Sequence, residues 1–67
     1  MIISIKTSRQ NRVDKKEVIS YMDRLSWQYV GGTEGIEGHG SQLFTFKWTS
    51  EKEPAFPDKY DYEIISE

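Results

Sequence analysis

Sixty-seven residues with a net charge of −2 make one small domain, residues 1–67, because a chain this short buries only about 60% of the surface its unfolded form exposes. The absence of cysteine excludes a disulfide-stapled secreted scaffold and any thiolate zinc site. Charge is divided unevenly: residues 1–24 hold six basic against three acidic side chains, and residues 25–67 hold three against eight, a dipole suited to steering a charged partner.

In chain order, Ile2 to Lys6 is short and β-branched and predicts a first strand, with Ile3 and Ile5 on one face. Thr7 to Arg12 reads as loop. A helix start follows: Asp14 is placed to cap the first turn, Glu17 to reach back to it, and Val13 to pack on Val18 across the cap. Val18, Tyr21, Met22 and Leu25 then recur at i, i+3, i+4 and i+7, which predicts a helix over about Lys15 to Leu25 with Ile19 widening its apolar stripe.

Trp27 to Val30, aromatic and β-branched, predicts a second strand. The segment VGGTEGIEGHG, Val30 to Gly40, reads as a mobile connection to a third strand over Gln42 to Thr49. There the alternation LFTFKW sets Phe44, Phe46 and Trp48 on one face and Leu43, Thr45, Lys47 and Thr49 on the other. Pro54 and Pro57 make Ser50 to Asp58 a loop, since neither fits a central strand or a helix interior. Tyr60 to Ile65 alternates again and predicts a last strand.

The order β-α-β-β-β gives an α+β fold, a small single-layer antiparallel or mixed sheet of about four strands with one helix packed on one face. The expected core joins Val18, Tyr21, Met22 and Leu25 to Ile3, Ile5, Phe44, Phe46 and Trp48.

Little in the chain carries catalytic chemistry. Gly35 to Gly40 has the glycine spacing of a phosphate-binding loop, but Ser41 and Gln42 follow where a lysine is required. Glu34 and Glu37 would repel a phosphate, and a strand stands where a helix N-terminus should receive it. Glu34, Glu37 and His39 offer three donors to a metal on a glycine-rich loop with no fourth nearby, so no metal or cofactor is expected. With one histidine and scattered serines, no nucleophile–base–orienter set assembles, and the chain reads as non-enzymatic.

The alternation LFTFKW resembles the aromatic strand of RNA-recognition motifs, which implies single-strand binding. The chain lacks that family's Gly-Phe-Gly-Phe-Val pattern and its second helix. Nucleic acid remains the second reading, through the basic residues Lys6, Arg9, Arg12, Lys15 and Lys16. The first reading is protein binding. Nine aromatic residues exceed what one sheet–helix layer readily buries, which leaves Trp27, Tyr29, Tyr60 and Tyr62 for the open face or an edge, where such residues anchor interfaces. Asp61 and Glu63 add an anionic rim. Glu34, Ile36, Glu37 and His39 are the contacts the glycine-rich segment offers.

KYDYEIISE at the C-terminus is suited to join a partner's sheet or a second copy of the chain. In composition the chain resembles the small proteins that phages make to block host enzymes or defences: tiny, cysteine-free, partly acidic and aromatic-rich. That resemblance implies an inhibitor acting by steric and electrostatic occlusion, with a host enzyme or defence protein as partner. No run approaches a transmembrane helix and the N-terminus lacks a signal-peptide pattern. A cytoplasmic protein without membrane contact is expected.

Overall fold

Strand β1, Ile2–Thr7, lies inside the sheet rather than at its rim, and its β-branched residues suit a position flanked on both sides. The structure, a computed structural model, describes residues 1–32 and 40–67. Helix α1 is Lys15–Arg24, followed by β2, Trp27–Gly31, then β3, Gln42–Trp48, and β4, Tyr62–Ser66. The strands form one sheet in the order β2-β3-β1-β4, and every neighbouring pair is antiparallel. This is the α+β architecture expected, with an antiparallel rather than a mixed sheet.

The register decides which residues share a face. Ile3 lies opposite Phe46 and Ile5 opposite Phe44, while Trp27 pairs with Trp48 and Tyr29 with Phe46. Directly opposed residues point the same way, so all of these lie on one face, and α1 covers it with Val18 and Met22. Ile3, Ile5, Val18, Met22, Trp27, Phe44 and Phe46 form the buried core, with Tyr21, Leu25 and Trp48 packed against it. The expected core stands, and Trp27 joins it.

Asp14 sits at the N-cap in extended conformation, but its side chain makes no capping hydrogen bond. The expected cap is therefore positional only. Loop and helix start are tied down elsewhere, through the buried Gln42. Its amide oxygen accepts from the Val13 N–H at 2.9 Å and from the Thr7 hydroxyl at 2.9 Å, and its amide nitrogen donates to the Val13 carbonyl at 3.0 Å. The Thr7 hydroxyl in turn accepts from the Gln42 N–H at 3.0 Å. One buried side chain thus joins the end of β1, the approach to α1 and the start of β3, with its oxygen and nitrogen both satisfied.

At the other end of α1, Leu25 and Ser26 donate their N–H groups to Met22 and Asp23 at 3.0 Å each, and Ser26 takes a φ of 76° to turn the chain into β2. Gly32, beyond β2, has no room for a side chain, since a Cβ there would lie 2.1 Å from the Leu43 carbonyl oxygen.

The segment between β3 and β4 is irregular, as its prolines require, but it is not a solvated loop. The Trp27 indole donates to the Ala55 carbonyl at 2.8 Å and the Trp48 indole to the Lys52 carbonyl at 2.9 Å. These bonds fold the segment back over the helix side of the sheet, where Phe56 meets Trp27 and Pro57 is buried. The last strand begins at Tyr62 rather than Tyr60, because Tyr60 packs edge-on against Tyr21 of α1 at 5.3 Å. Among the described residues no helix is long and apolar enough to cross a membrane.

Candidate functional site

Two faces and two edges of the sheet could serve a partner, and the register separates them. On the face away from α1, β1 contributes Ile2, Ser4 and Lys6, β3 contributes Leu43, Thr45 and Lys47, β2 contributes Gln28, and β4 contributes Glu63 and Ser66. This open face is aliphatic and charged, with no aromatic residue among those described. The expectation that surplus aromatics occupy it needs correction. Trp27 is 1% exposed, and Tyr29 lies over Phe44 and Phe46 with the Lys15 ammonium 5.5 Å from its ring centre. The 49–61 segment and Tyr21 supply the extra cover that a sheet and one helix alone would lack.

Tyr62 is at an edge, as expected, but on the helix side. It lies opposite Ile5 and stacks on Phe56 with ring centres 5.0 Å apart and planes 8° apart. Tyr60 is half-buried beside Tyr21, with the Lys59 ammonium 5.6 Å from its ring centre. Asp61 and Glu63 are exposed. Glu34, Ile36, Glu37 and His39, together with the phosphate and metal readings of that segment, lie outside the described residues. Among the described residues no group of three His, Asp or Glu side chains is placed to hold a metal.

β4 differs from every other strand. Among the described residues it ends the sheet and pairs only with β1, and all five of its residues are exposed. Tyr62 at 40%, Ile64 at 47% and Ile65 at 57% are three of the four large apolar residues that the described chain leaves exposed. Ile64 lies opposite Ile3 on the helix side, and a register shift follows, so that Ser66 lies opposite Ile2 and Ile65 falls between the two pairs. The edge is therefore apolar along Tyr62, Ile64 and Ile65. An edge strand of this kind presents unpaired N–H and C=O groups beside apolar side chains; proteins ordinarily blunt such edges, and the register shift at Ile65 does so only at the end of β4. Of the charges in and beside it, Asp58, Asp61, Glu63 and Glu67 are acidic and Lys59 is basic.

Beside β4 on the open face lies a shallow notch of about 190 Å³ lined by Ser4, Lys6, Asp61, Tyr62 and Glu63. Lys6 Nζ is 3.5 Å from Glu63 Oε2, and both side chains are exposed. The Ser4 hydroxyl is buried and has no hydrogen-bond partner among the described residues. Sequence reasoning missed Ser4, since a serine between two isoleucines reads as an ordinary outward strand position.

The basic residues do not gather into one patch. Lys6 is on the open face beside Glu63, and Arg9 is exposed in the following loop. Arg12 donates to the Gly40 carbonyl, Lys15 turns toward Tyr29, and Lys16 lines a separate groove with Tyr21, Arg24 and Lys59. A backbone-tracking groove for nucleic acid would need them side by side. Comparison with protein-family models, curated proteins and solved structures finds no match to this chain.

Proposed function

We propose that this chain is a non-catalytic protein-binding module that docks through the free edge of β4 and acts by covering part of its partner's surface. In this reading it works in the cytoplasm as the small phage-made inhibitors do, against a host enzyme or defence protein. One observation carries the proposal: β4 combines an unpaired backbone edge with Tyr62, Ile64 and Ile65 exposed along it. Strand addition at such an edge draws affinity from main-chain hydrogen bonds and specificity from alternate side chains. The acidic residues around it favour a partner whose receiving surface is basic.

Affinity capture from a bacterial lysate with the wild-type chain and with the Ile64→Lys, Ile65→Lys double variant tests the proposal. The expected result is a stoichiometric protein on the wild-type chain that the variant fails to retain. Equal retention by both chains, or an eluate of nucleic acid lost on Arg9→Ala with Arg12→Ala, contradicts it.

A further inference from the structure

The proposed docking edge has a side-chain pattern specific enough to define what it pairs with. From Asp61 to Ile64, alternation sets Asp61 and Glu63 on the open side and Tyr62 and Ile64 on the helix side; Ile65 follows at the register shift that sets Ser66 opposite Ile2. A strand added antiparallel to β4 would continue the arrangement of the whole sheet, and antiparallel ladders are the more stable per residue. Residues facing Ile65, Ile64 and Tyr62 would then meet apolar side chains, and those facing Glu63 and Asp61 would meet carboxylates.

The notch beside β4 sharpens the second half of that pattern. Two carboxylates on its rim would not by themselves define a site, but a third group lines it. The Ser4 residue is only 2% exposed, and its hydroxyl has no hydrogen-bond partner among the described residues. A buried polar group without a partner is uncommon, and this one borders the notch of Asp61 and Glu63. A guanidinium entering the notch would give the hydroxyl a donor and the carboxylates a counter-charge, in the forked geometry that suits arginine. Lys6, the present neighbour of Glu63, is no obstacle, because both side chains of that pair are exposed and such pairs are weak and readily exchanged.

The same charges argue against a second copy of the chain. Antiparallel pairing of β4 with itself centred on Tyr62 sets Asp61 opposite Glu63, and centring on Glu63 sets that residue opposite its own copy. Centring on Ile64 sets Asp61 opposite Glu67, and centring on Ile65 sets Glu63 opposite Glu67. Like charges directly opposed destabilise a ladder, so each register that uses the apolar part of β4 is penalised.

We infer that β4 receives an extended segment of another protein with the alternation apolar, apolar, basic, apolar, basic, its first basic residue an arginine seated in the Ser4–Asp61–Glu63 notch. The inference rests on the reading of β4 as the docking edge. Its test titrates the full chain with two capped peptides, one with the core Val-Ile-Arg-Val-Lys and one with Val-Ile-Glu-Val-Glu, following backbone amide shifts and affinity.

The expected result is a shift of the amides of residues 62–66 with the basic peptide and at least tenfold weaker binding of the acidic one, in line with charge-pair discrimination. Ser4→Ala should weaken the basic peptide several-fold without affecting the acidic one. The isosteric pair Asp61→Asn with Glu63→Gln, which adds no repulsion and preserves shape, should bring the two affinities within about threefold of each other. Equal binding of both peptides at β4 overturns the inference but leaves the docking edge standing. Failure of both peptides to move the β4 amides, or movement of those amides only with chain concentration or with an oligonucleotide, overturns both.

Discussion

Ser4 lies directly opposite Glu63 across the β1–β4 ladder, and its hydroxyl is buried without a hydrogen-bond partner among the described residues. A group in that position costs the free chain stability, since its desolvation is not repaid by a bond. Ser4→Ala should therefore stabilise the unliganded chain by about 0.5–1 kcal/mol in denaturant titration. A loss of stability would mean that the hydroxyl is satisfied in solution, and the notch would lose its distinguishing group.

The opposite outcome is expected at Gln42, whose amide bridges Val13 and Thr7. Gln42→Ala removes the bridge and strands the Val13 N–H and C=O, at about 1–3 kcal/mol. Gln42→Glu should cost more at neutral pH, because a carboxylate oxygen would replace the donor that now faces the Val13 carbonyl. Chemical denaturation of the two variants against wild type checks both the sign and the order.

Phe56 joins the two ends of the covered face, lying 6.1 Å from Trp27 and 5.0 Å from Tyr62 by ring centres. Phe56→Ala should lower stability by about 2 kcal/mol, less than a fully buried phenylalanine would cost. It should also speed hydrogen exchange in β4 more than in β1 or β3, because β4 keeps only its pairing with β1. Phe56→Leu retains most of the apolar area and should cost about 0.5–1.5 kcal/mol, the share of the aromatic pairs.

Ser26 turns the chain from α1 into β2 at a φ of 76°, a conformation disfavoured for residues with a Cβ. Its carbonyl accepts from the Thr49 N–H at 3.0 Å and the Thr49 hydroxyl at 2.8 Å; both bonds use backbone that glycine would keep. Ser26→Gly should raise stability by about 0.5–1 kcal/mol, and Ser26→Val should lower it, as thermal melts would show.

Where a local pattern determined the outcome, the sequence was informative. The i, i+3, i+4 spacing of Val18, Tyr21 and Met22 placed α1 to within a residue at its end, and the alternation of LFTFKW separated the covered aromatics from Leu43, Thr45 and Lys47. What depends on contacts distant in sequence was not legible. Period-2 alternation shows that Tyr62 and Ile64 share a face, but not that β4 lies beside β1 at the rim. Apolar Phe56 and Pro57 sit among charges and prolines, so nothing local marks them as a cover, and Trp27 and Tyr29 seemed surplus without it. Asp14 has the composition of a cap, yet the approach to α1 is held by Gln42, 28 positions further along the chain.

The docking role of β4 is the central claim, and amide hydrogen exchange of the chain alone and bound to its captured protein partner tests it most directly. The outward-facing amides of Tyr62–Ser66 have no strand beyond them, so they should exchange readily in the free chain and slow by at least tenfold on binding, the mark of a new ladder. Slowing confined to α1, β2 or the middle of the open face, with β4 unchanged, would contradict the account.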